Sequence, residues 1–411
     1  MSELPGPPLR IAVLGDFDGP HTRAWVRTFV EHGHDVHAIS YYESIAERMD
    51  ELPGVTFHSF RPYPYQGKRI PGTNASYGWT EPPKSPLRSL AKKVPPDLMR
   101  LAHAWRYRRA GLRRVLDEIK PDVFHAHYAV EHGFYGALAG YHPYVISAWG
   151  SDLLVESHKT LGHRIAKWAL SKADLVTGND ASLVRRAVEL GVPSEKAAVV
   201  HLGIEPVFLA AGAHSVNLSE DTKGLVVISD RAHEPLYNID TILRAFAGLR
   251  SDFRVRLVVA GEGSQQPMLW SVADEIGLDD TAVQFAGHRD RGWLANALST
   301  ADVYVSVPSS DSLALSNLEA MAAGAFPIVS DLPSVDGWIE DGVNGLRVPH
   351  RDQGALINAI RRALGDPELR RRAAIHNRQL VEARGLREPN MLLMERHYYR
   401  LTGHPIEDQA I

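Results

Sequence analysis

Two acidic side chains, Asp311 and Glu319, stand within Pro308-Ser-Ser-Asp-Ser-Leu-Ala-Leu-Ser-Asn-Leu-Glu-Ala-Met-Ala-Ala-Gly-Ala-Phe-Pro327. Ahead of them Ala301-Asp-Val-Tyr-Val-Ser-Val307 alternates as a strand does, and Leu315, Leu318, Met321 and Ala322 then recur at helical spacing. The loop therefore ends at a helix N-terminus. Such a terminus leaves backbone N–H groups without intrahelical partners and carries partial positive charge, so a diphosphate could dock on Ser312, Leu313, Ala314 and Leu315. Glu319, one turn further in, could hold a ribose diol. Equally compatible is a helix packed behind a parallel strand, with Asp311 and Ser312 as capping residues and Glu319 in solvent.

Other strand ends carry groups able to do chemistry. Arg231, in Asp230-Arg-Ala-His-Glu-Pro-Leu-Tyr-Asn-Ile-Asp240, follows a strand and could neutralise a diphosphate by a bidentate contact; its alternative is a surface ion pair with Asp230 or Glu234. Gly15-Asp-Phe-Asp-Gly-Pro-His-Thr-Arg23 lacks the third Gly of a dinucleotide fingerprint and no acid ends the next strand, which disfavours a nicotinamide enzyme. Gly15 can still admit a phosphate, and His21 lies just ahead of a helix. In Pro121-Asp-Val-Phe-His-Ala-His-Tyr128, His125 and His127 share one side of a strand end, the former read as structural and the latter as a polar group for a ligand. A metal there would need a third ligand, which the sequence does not identify. Trp149 and Asp152 close Tyr144-Val-Ile-Ser-Ala-Trp-Gly-Ser-Asp152, and Trp149 could stack on a sugar face or simply fill a core. Gly-rich turns end Val258-Val-Ala-Gly-Glu-Gly263 and Phe285-Ala-Gly-His-Arg-Asp290, the second offering His288 and Arg289.

An acid, seven residues, then Glu followed by Ala-Met-Ala-x-Gly-x-x-Pro resembles the donor-site signature of the retaining family 4 glycosyltransferases, with Asp311 in place of the usual first Glu. The resemblance covers nearly the whole chain and is strongest from Asp302 to Arg347. It implies that Glu319 binds the ribose of a nucleotide-sugar donor, that Asp311 approaches the sugar, and that Arg231 meets the diphosphate. The family's Lys-Gly pair after that Arg is replaced by Tyr237 and Asn238, so Tyr237 becomes a hydrogen-bonding substitute. Trp149 stands where the family carries a histidine near the reacting sugar. His21, Trp149 and Asp152 fall on the acceptor side, His127 is carried over as a group facing the reaction, and His288 and Arg289 border the nucleotide base. In the mechanism such enzymes are thought to use, the leaving phosphate helps deprotonate the acceptor hydroxyl on the same face of the sugar, so that configuration is retained. No metal and no cofactor beyond the donor are implied.

Elements able to position these residues recur through the chain. Strand-like runs at Arg10 to Gly15, Asp35 to Ser40, Val55 to Phe60, Val123 to Ala126, Tyr144 to Ala148, Leu175 to Thr177 and Ala198 to His201 alternate with helical segments, and the rhythm resumes at Gly224. This predicts an α/β fold of two doubly wound, Rossmann-like domains, which the resemblance makes the glycosyltransferase B (GT-B) fold with the domains facing a central cleft. Residues 1–203 are expected to form the acceptor-side domain, 204–223 a linker, 224–385 the nucleotide-sugar domain, and 386–411 a helix crossing back to the first domain.

The chain has 411 residues, no cysteine and a formal charge of −4, which removes thiolate chemistry and argues against general nucleic-acid binding. It holds no apolar run long enough to span a membrane and no signal-peptide core, so a cytoplasmic location is expected. The window Lys84 to Arg114 carries ten basic residues against Asp97 alone. It reads as a helix with a solvated basic face or as a peripheral contact with anionic lipid on the inner face of the plasma membrane. Family habit points to a glycan, lipid-linked or small-molecule acceptor. Two rivals remain at this stage: a sugar-nucleotide-binding partner subunit without turnover, motivated by Asp311, Tyr237 and Trp149, and a sugar-nucleotide epimerase.

Overall fold

A computed structural model of the chain describes residues 6–17, 19–40, 52–59, 101, 111–158, 160–215, 224–249 and 252–404. They divide into two compact units, one running to Leu202 and resuming at Glu388, the other comprising Gly203–Arg387.

In the first unit seven parallel strands are ordered β3-β2-β1-β4-β5-β6-β7. They are β1 (Arg10–Leu14), β2 (Asp35–Ser40), β3 (Val55–Ser59), β4 (Val123–His127), β5 (Tyr144–Ala148), β6 (Leu175–Gly178) and β7 (Ala197–Val199). Helices α1 (Pro20–Glu31), α2 (Leu112–Ile119), α3 (Phe134–Ala139), α4 (Ser151–Leu154), α5 (Thr160–Leu170) and α6 (Ala181–Glu189) connect them. Every residue of β4 and β5 is buried, as expected for central parallel strands covered on both faces. Helix α1 begins at Pro20, earlier than its apolar pattern implies, because proline is preorganised for the first helical position. His21 consequently sits in the first turn rather than ahead of it.

The second unit opens with α7 (Val207–Ser215), inside the stretch expected to be a linker; Phe208 and Leu209 are buried there, which makes it part of the core. Its six parallel strands are ordered β10-β9-β8-β11-β12-β13. They are β8 (Leu225–Ser229), β9 (Val255–Ala260), β10 (Val283–Gly287), β11 (Val303–Ser306), β12 (Phe326–Ser330) and β13 (Leu346–Val348). The helices are α8 (Ile239–Ala247), α9 (Gln266–Glu275), α10 (Arg291–Ser299), α11 (Leu315–Ala323), α12 (Gln353–Gly365) and α13 (Pro367–Arg384).

Each sheet reverses its strand order once, between β1 and β4 in the first unit and between β8 and β11 in the second. At such a switch point the flanking loops diverge to opposite faces and leave a crevice at the carboxyl ends of the strands. The pairs are in direct register contact, Ile11 with Val123 and Val303 with Val227.

The last helix, α14 (Arg387–Thr402), belongs to the first unit, where Met391, Met394, Tyr398 and Tyr399 are buried with Leu9, Ile11 and Phe29. Glu395 is fully buried on its inner face, 2.5 Å from His32 Nδ1 and 3.2 Å from His34 Nε2. Glu395 holds His32 up to about 9, so the pair is charged at neutral pH. Where the chain enters and leaves the second unit, the Ile204 N–H donates to Gly385 at 2.8 Å and the Arg387 N–H donates to Ile204 at 2.9 Å. Gly203 has φ +65°, and a Cβ there would lie 2.5 Å from the Arg387 backbone, so only glycine fits this close crossing.

The basic window Lys84 to Arg114, except Leu101 and residues 111–114, lies outside the described residues, as do 60–83, 216–223 and 405–411. No helix among the described residues is long and apolar enough to cross a membrane.

Candidate functional site

At the β8/β11 switch point the two candidate charges meet directly. Arg231 Nη2 donates to Asp311 Oδ2 at 2.6 Å and Nη1 donates to Ser316 Oγ at 2.6 Å, while the guanidinium lies 4.4 Å over the Tyr237 ring. One side chain thus ties the loop after β8 to the loop after β11 and to the first turn of α11. Burial works against the Arg231 charge, but Asp311, Tyr304, Tyr237 and Asp230 favour it and hold it well above its ordinary value. Asp311 is thus paired with the cation expected to meet the diphosphate, beside the place where the resemblance puts the sugar. Tyr237 acts on Arg231 through its ring face. The loop after β9 gives way to this arrangement at Gly261, where a Cβ would press within 2.6 Å of the Arg231 carbonyl.

Helix α11 starts beside Arg231. Its N-cap, Ala314, supplies no side-chain hydrogen bond, whereas Asp290, Asp352 and Asp366 cap α10, α12 and α13. Ser312, Leu313 and Ala314 are buried and Leu315 is the first helical residue, so the turn into α11 lies at the carboxyl end of β11.

Glu319 lies on the next turn with its side chain only 5% exposed. Its Oε1 accepts from Arg291 Nη2 at 2.6 Å. Burial pushes Glu319 up to about 7, while Arg291 pulls it down and Asp230 pushes it further up. Arg291 in turn donates through Nε to Glu205 at 2.9 Å, Glu205 accepts from Arg387 at 3.0 Å, and the Arg291 guanidinium lies 5.0 Å over Phe208. Sequence reasoning missed Arg291 and Glu205. It chose His288 and Arg289, which the structure leaves exposed past the edge strand β10, with the His288 N–H on Glu262 and Arg289 over Trp293. A signal for Arg291 was present: it opens a helix, where the macrodipole disfavours a cation unless a carboxylate compensates.

The switch point of the first unit is different in kind. Gly15 follows β1, and a Cβ there would lie 3.2 Å from Thr22 and 3.6 Å from His127. His127 Nδ1 is 3.4 Å from Thr22 Oγ1, and its Nε2 is buried without a hydrogen-bond partner among the described residues. Its ring is 4.8 Å from that of Trp149, which is 5.6 Å from that of His21. Burial holds His127 well below the ordinary histidine range, so it is neutral. His125 is structural: fully buried, it pairs Nδ1 with Tyr398 at 2.6 Å and Nε2 with Ser147 at 2.7 Å. Asp152, assigned from sequence to the acceptor side, has no exposed surface. Its carboxylate accepts from the backbone N–H groups of Ala129 at 2.7 Å, Gly150 at 2.9 Å and Trp149 at 3.2 Å, so it shapes the loops after β4 and β5. Among the described residues no group of three or more metal-ligating side chains is assembled.

Residues 213–380 match the family model for glycosyl transferases group 1, and residues 19–203 match that for a glycosyl transferase 4-like domain. A D-inositol 3-phosphate glycosyltransferase from Saccharomonospora viridis is 36% identical over 148 residues, 33% of this chain and 34% of that protein. A glycogen synthase from Mycobacterium tuberculosis is 27% identical over 290 residues, 66% of this chain and 68% of its own length. The matched stretch thus spans about a third of the first relative and about two thirds of the second. Anabaena HepE, solved in complex with UDP, shares the fold with a TM-score of 0.69 at 16% identity, covering 96% of this chain and 100% of that one.

Proposed function

We propose, for a chain that belongs to the group 1 glycosyltransferases and has the GT-B fold, that it transfers a hexosyl group from a nucleotide-sugar donor to an acceptor hydroxyl with retention of anomeric configuration. One observation carries the reading: a half-buried arginine, a helix start whose N-cap side chain makes no hydrogen bond, and a buried carboxylate one turn later converge at the switch point of the second sheet. The diphosphate is assigned to Arg231 and the backbone of residues 312–315, with the Tyr237 ring supporting the guanidinium. Glu319 is assigned to the ribose, and His288 and Arg289 border the base.

In the reaction the bond from the sugar's anomeric carbon to the donor phosphate breaks, its electron pair stays on the phosphate oxygen, and the acceptor oxygen forms the new bond. Negative charge therefore grows on the leaving diphosphate, next to a fixed cation and aligned N–H groups that need no reorganisation. Each such donor is worth about 2–4 kcal/mol in comparable sites. The leaving phosphate then takes the acceptor proton. His127, Trp149 and His21 are the first unit's groups for sugar and acceptor. His127 is a neutral hydrogen-bonding partner, Trp149 a flat apolar face, and Asp152 holds the loop that carries Trp149. Gly15 lets the turn after β1 lie close to Thr22 and His127. The acceptor class is a glycan, a lipid-linked intermediate or a small molecule.

The test is calorimetry of the purified protein with UDP, GDP, ADP and TDP, followed by their sugar conjugates, with Glu319→Ala alongside. UDP comes first because HepE was solved with it. Tight binding of one nucleotide, lost in Glu319→Ala, supports the donor site; release of that nucleotide from its sugar conjugate distinguishes a transferase from a partner subunit. A folded protein that binds none of the four overturns the reading.

A further inference from the structure

Arg291 is the least expected member of the second unit's site. It occupies the first position of α10, against the macrodipole, and its fork is divided between two carboxylates: Nη2 on Glu319 at 2.6 Å and Nε on Glu205 at 2.9 Å. Phe208 backs the guanidinium plane at 5.0 Å, and Glu205 is itself fixed by Arg387 at 3.0 Å. The guanidinium is thus held along two edges and one face, so it has little freedom to rotate. Glu319 by contrast has one anchored oxygen. Oε1 is taken by Arg291, and among the described residues Oε2 accepts no hydrogen bond although the side chain is 95% withdrawn from solvent (5% exposed).

We propose that Arg291 is a positioning residue for the nucleotide ribose: it pins Oε1 of Glu319 so that Oε2 is presented to the vicinal 2′,3′-diol, and Glu205 pins Arg291. This rests on the nucleotide-sugar reading above and adds to it how the carboxylate is kept ionised and aimed. The other groups facing Glu319 are Asp230 and Glu205, both acidic, and both push against its charge as burial does. Without Arg291 the carboxyl takes up a proton and turns freely about its terminal torsion, and a diol loses its anionic acceptor. Lysine cannot substitute fully, since one ammonium does not span two carboxylates in the planar geometry of the fork.

Ribonucleotides and their 2′-deoxy counterparts read this directly, because they differ only in the 2′-hydroxyl, one of the two groups from which Oε2 is proposed to accept. Dissociation constants for UDP and dUDP, GDP and dGDP, and ADP and dADP are measured by calorimetry with the full chain, its Arg291→Gln, Arg291→Lys and Glu319→Ala variants, and the Arg291→Gln/Glu319→Ala double variant. The wild type is expected to prefer the ribo form of its nucleotide by about tenfold or more, the size of a hydrogen bond to a charged group. Arg291→Gln removes most of that preference by weakening the ribo form, with deoxy binding changed by less than about twofold. The double variant matches Glu319→Ala, and Arg291→Lys recovers part of the preference. Equal weakening of both forms in Arg291→Gln, with the preference intact, overturns the proposal and leaves Arg291 a scaffold residue. Failure of the underlying reading looks different: the wild type shows no ribo preference, or Glu319→Ala retains it, and the proposal falls with it. Should Arg291→Gln not fold, Glu205→Gln keeps Arg291 and frees its far side; an unchanged preference there would equally sink the proposal.

Discussion

The two switch points share a topology and differ in electrostatics. At β8/β11 the arginines and acids are already paired, Arg231 with Asp311 and Glu319 with Arg291. At β1/β4 the groups are aromatic rings, His21, Trp149 and His127 in sequence, with the imidazole of His127 kept uncharged by burial. A parallel sheet supplies the same crevice in both cases. What enters it is decided by a few loop residues. Prearranged charge fits a site that receives a dianion and must tolerate its departure, whereas uncharged rings fit a sugar's apolar face and hydroxyls, where a fixed charge would have to be desolvated for no return.

Four changes would break or sharpen that contrast. The largest is Glu395→Ala, which strands His32 and His34 beneath α14. Removing one partner of a buried pair costs about 3–5 kcal/mol, read from urea unfolding, while nucleotide affinity stays the same because the lesion lies in the first unit. The pH dependence of this clamp has a definite sign. His32 is raised from 6.5 to about 9, so its contribution is complete below pH 6.5 and is lost as pH climbs through about 9. Glu395 is lowered from 4.5, through burial opposed and outweighed by His32 and His34, so its contribution is complete above pH 4.5 and fades as pH falls below that. Unfolding stability should therefore be level between pH 4.5 and 6.5 and decline from there to about 9, and His32→Ala should abolish that decline. Next comes Arg231→Ala, expected to lower kcat/KM by about 2–4 kcal/mol equivalent and to weaken nucleoside diphosphate binding in calorimetry. An unchanged affinity would mean that the charged switch point is not the phosphate site. Trp149→Ala should cost about tenfold in kcat/KM with nucleotide affinity untouched; a parallel loss of affinity would erase the division of labour. The smallest effect is Tyr237→Phe, which keeps the ring over Arg231 and should alter affinity by less than about twofold, against about 0.5–2 kcal/mol for Tyr237→Ala.

Much of the scaffold was readable because apolar periodicity and burial are the same fact seen twice. The strands Leu225–Ser229 and Tyr144–Ala148 and the helix Leu315–Ala323 lie where their patterns place them. The short edge strand β13 was not foreseen, since three residues carry too little pattern. Within the site, Arg231, Asp311 and Glu319 were legible from their places at strand ends, but their pairing was not. Whether Asp311 faces a ligand or an arginine depends on the register of β8 against β11, which no local pattern encodes. Glu205 is more distant still: it reaches Arg291 across 86 residues of chain. Asp152 misled for the opposite reason. An acid just after a Gly at a strand end resembles a ligand group, yet here it satisfies three backbone N–H groups that would otherwise be buried unpaired.

The close crossing at Gly203 has a consequence for how this protein can be taken apart. Because Ile204 hydrogen-bonds to both Gly385 and Arg387, the second unit is in effect a cassette inserted into the first, with its two ends laced together. A cassette with adjoining ends can be excised, or circularly permuted by joining 203 to 387, without stretching any strand. The host sequence on either side, up to Leu202 and from Glu388, needs only a short splice to become one continuous polypeptide. The two units could then each be titrated with its own ligands in isolation, and whatever cooperation is lost on separation would measure what the insertion contributes.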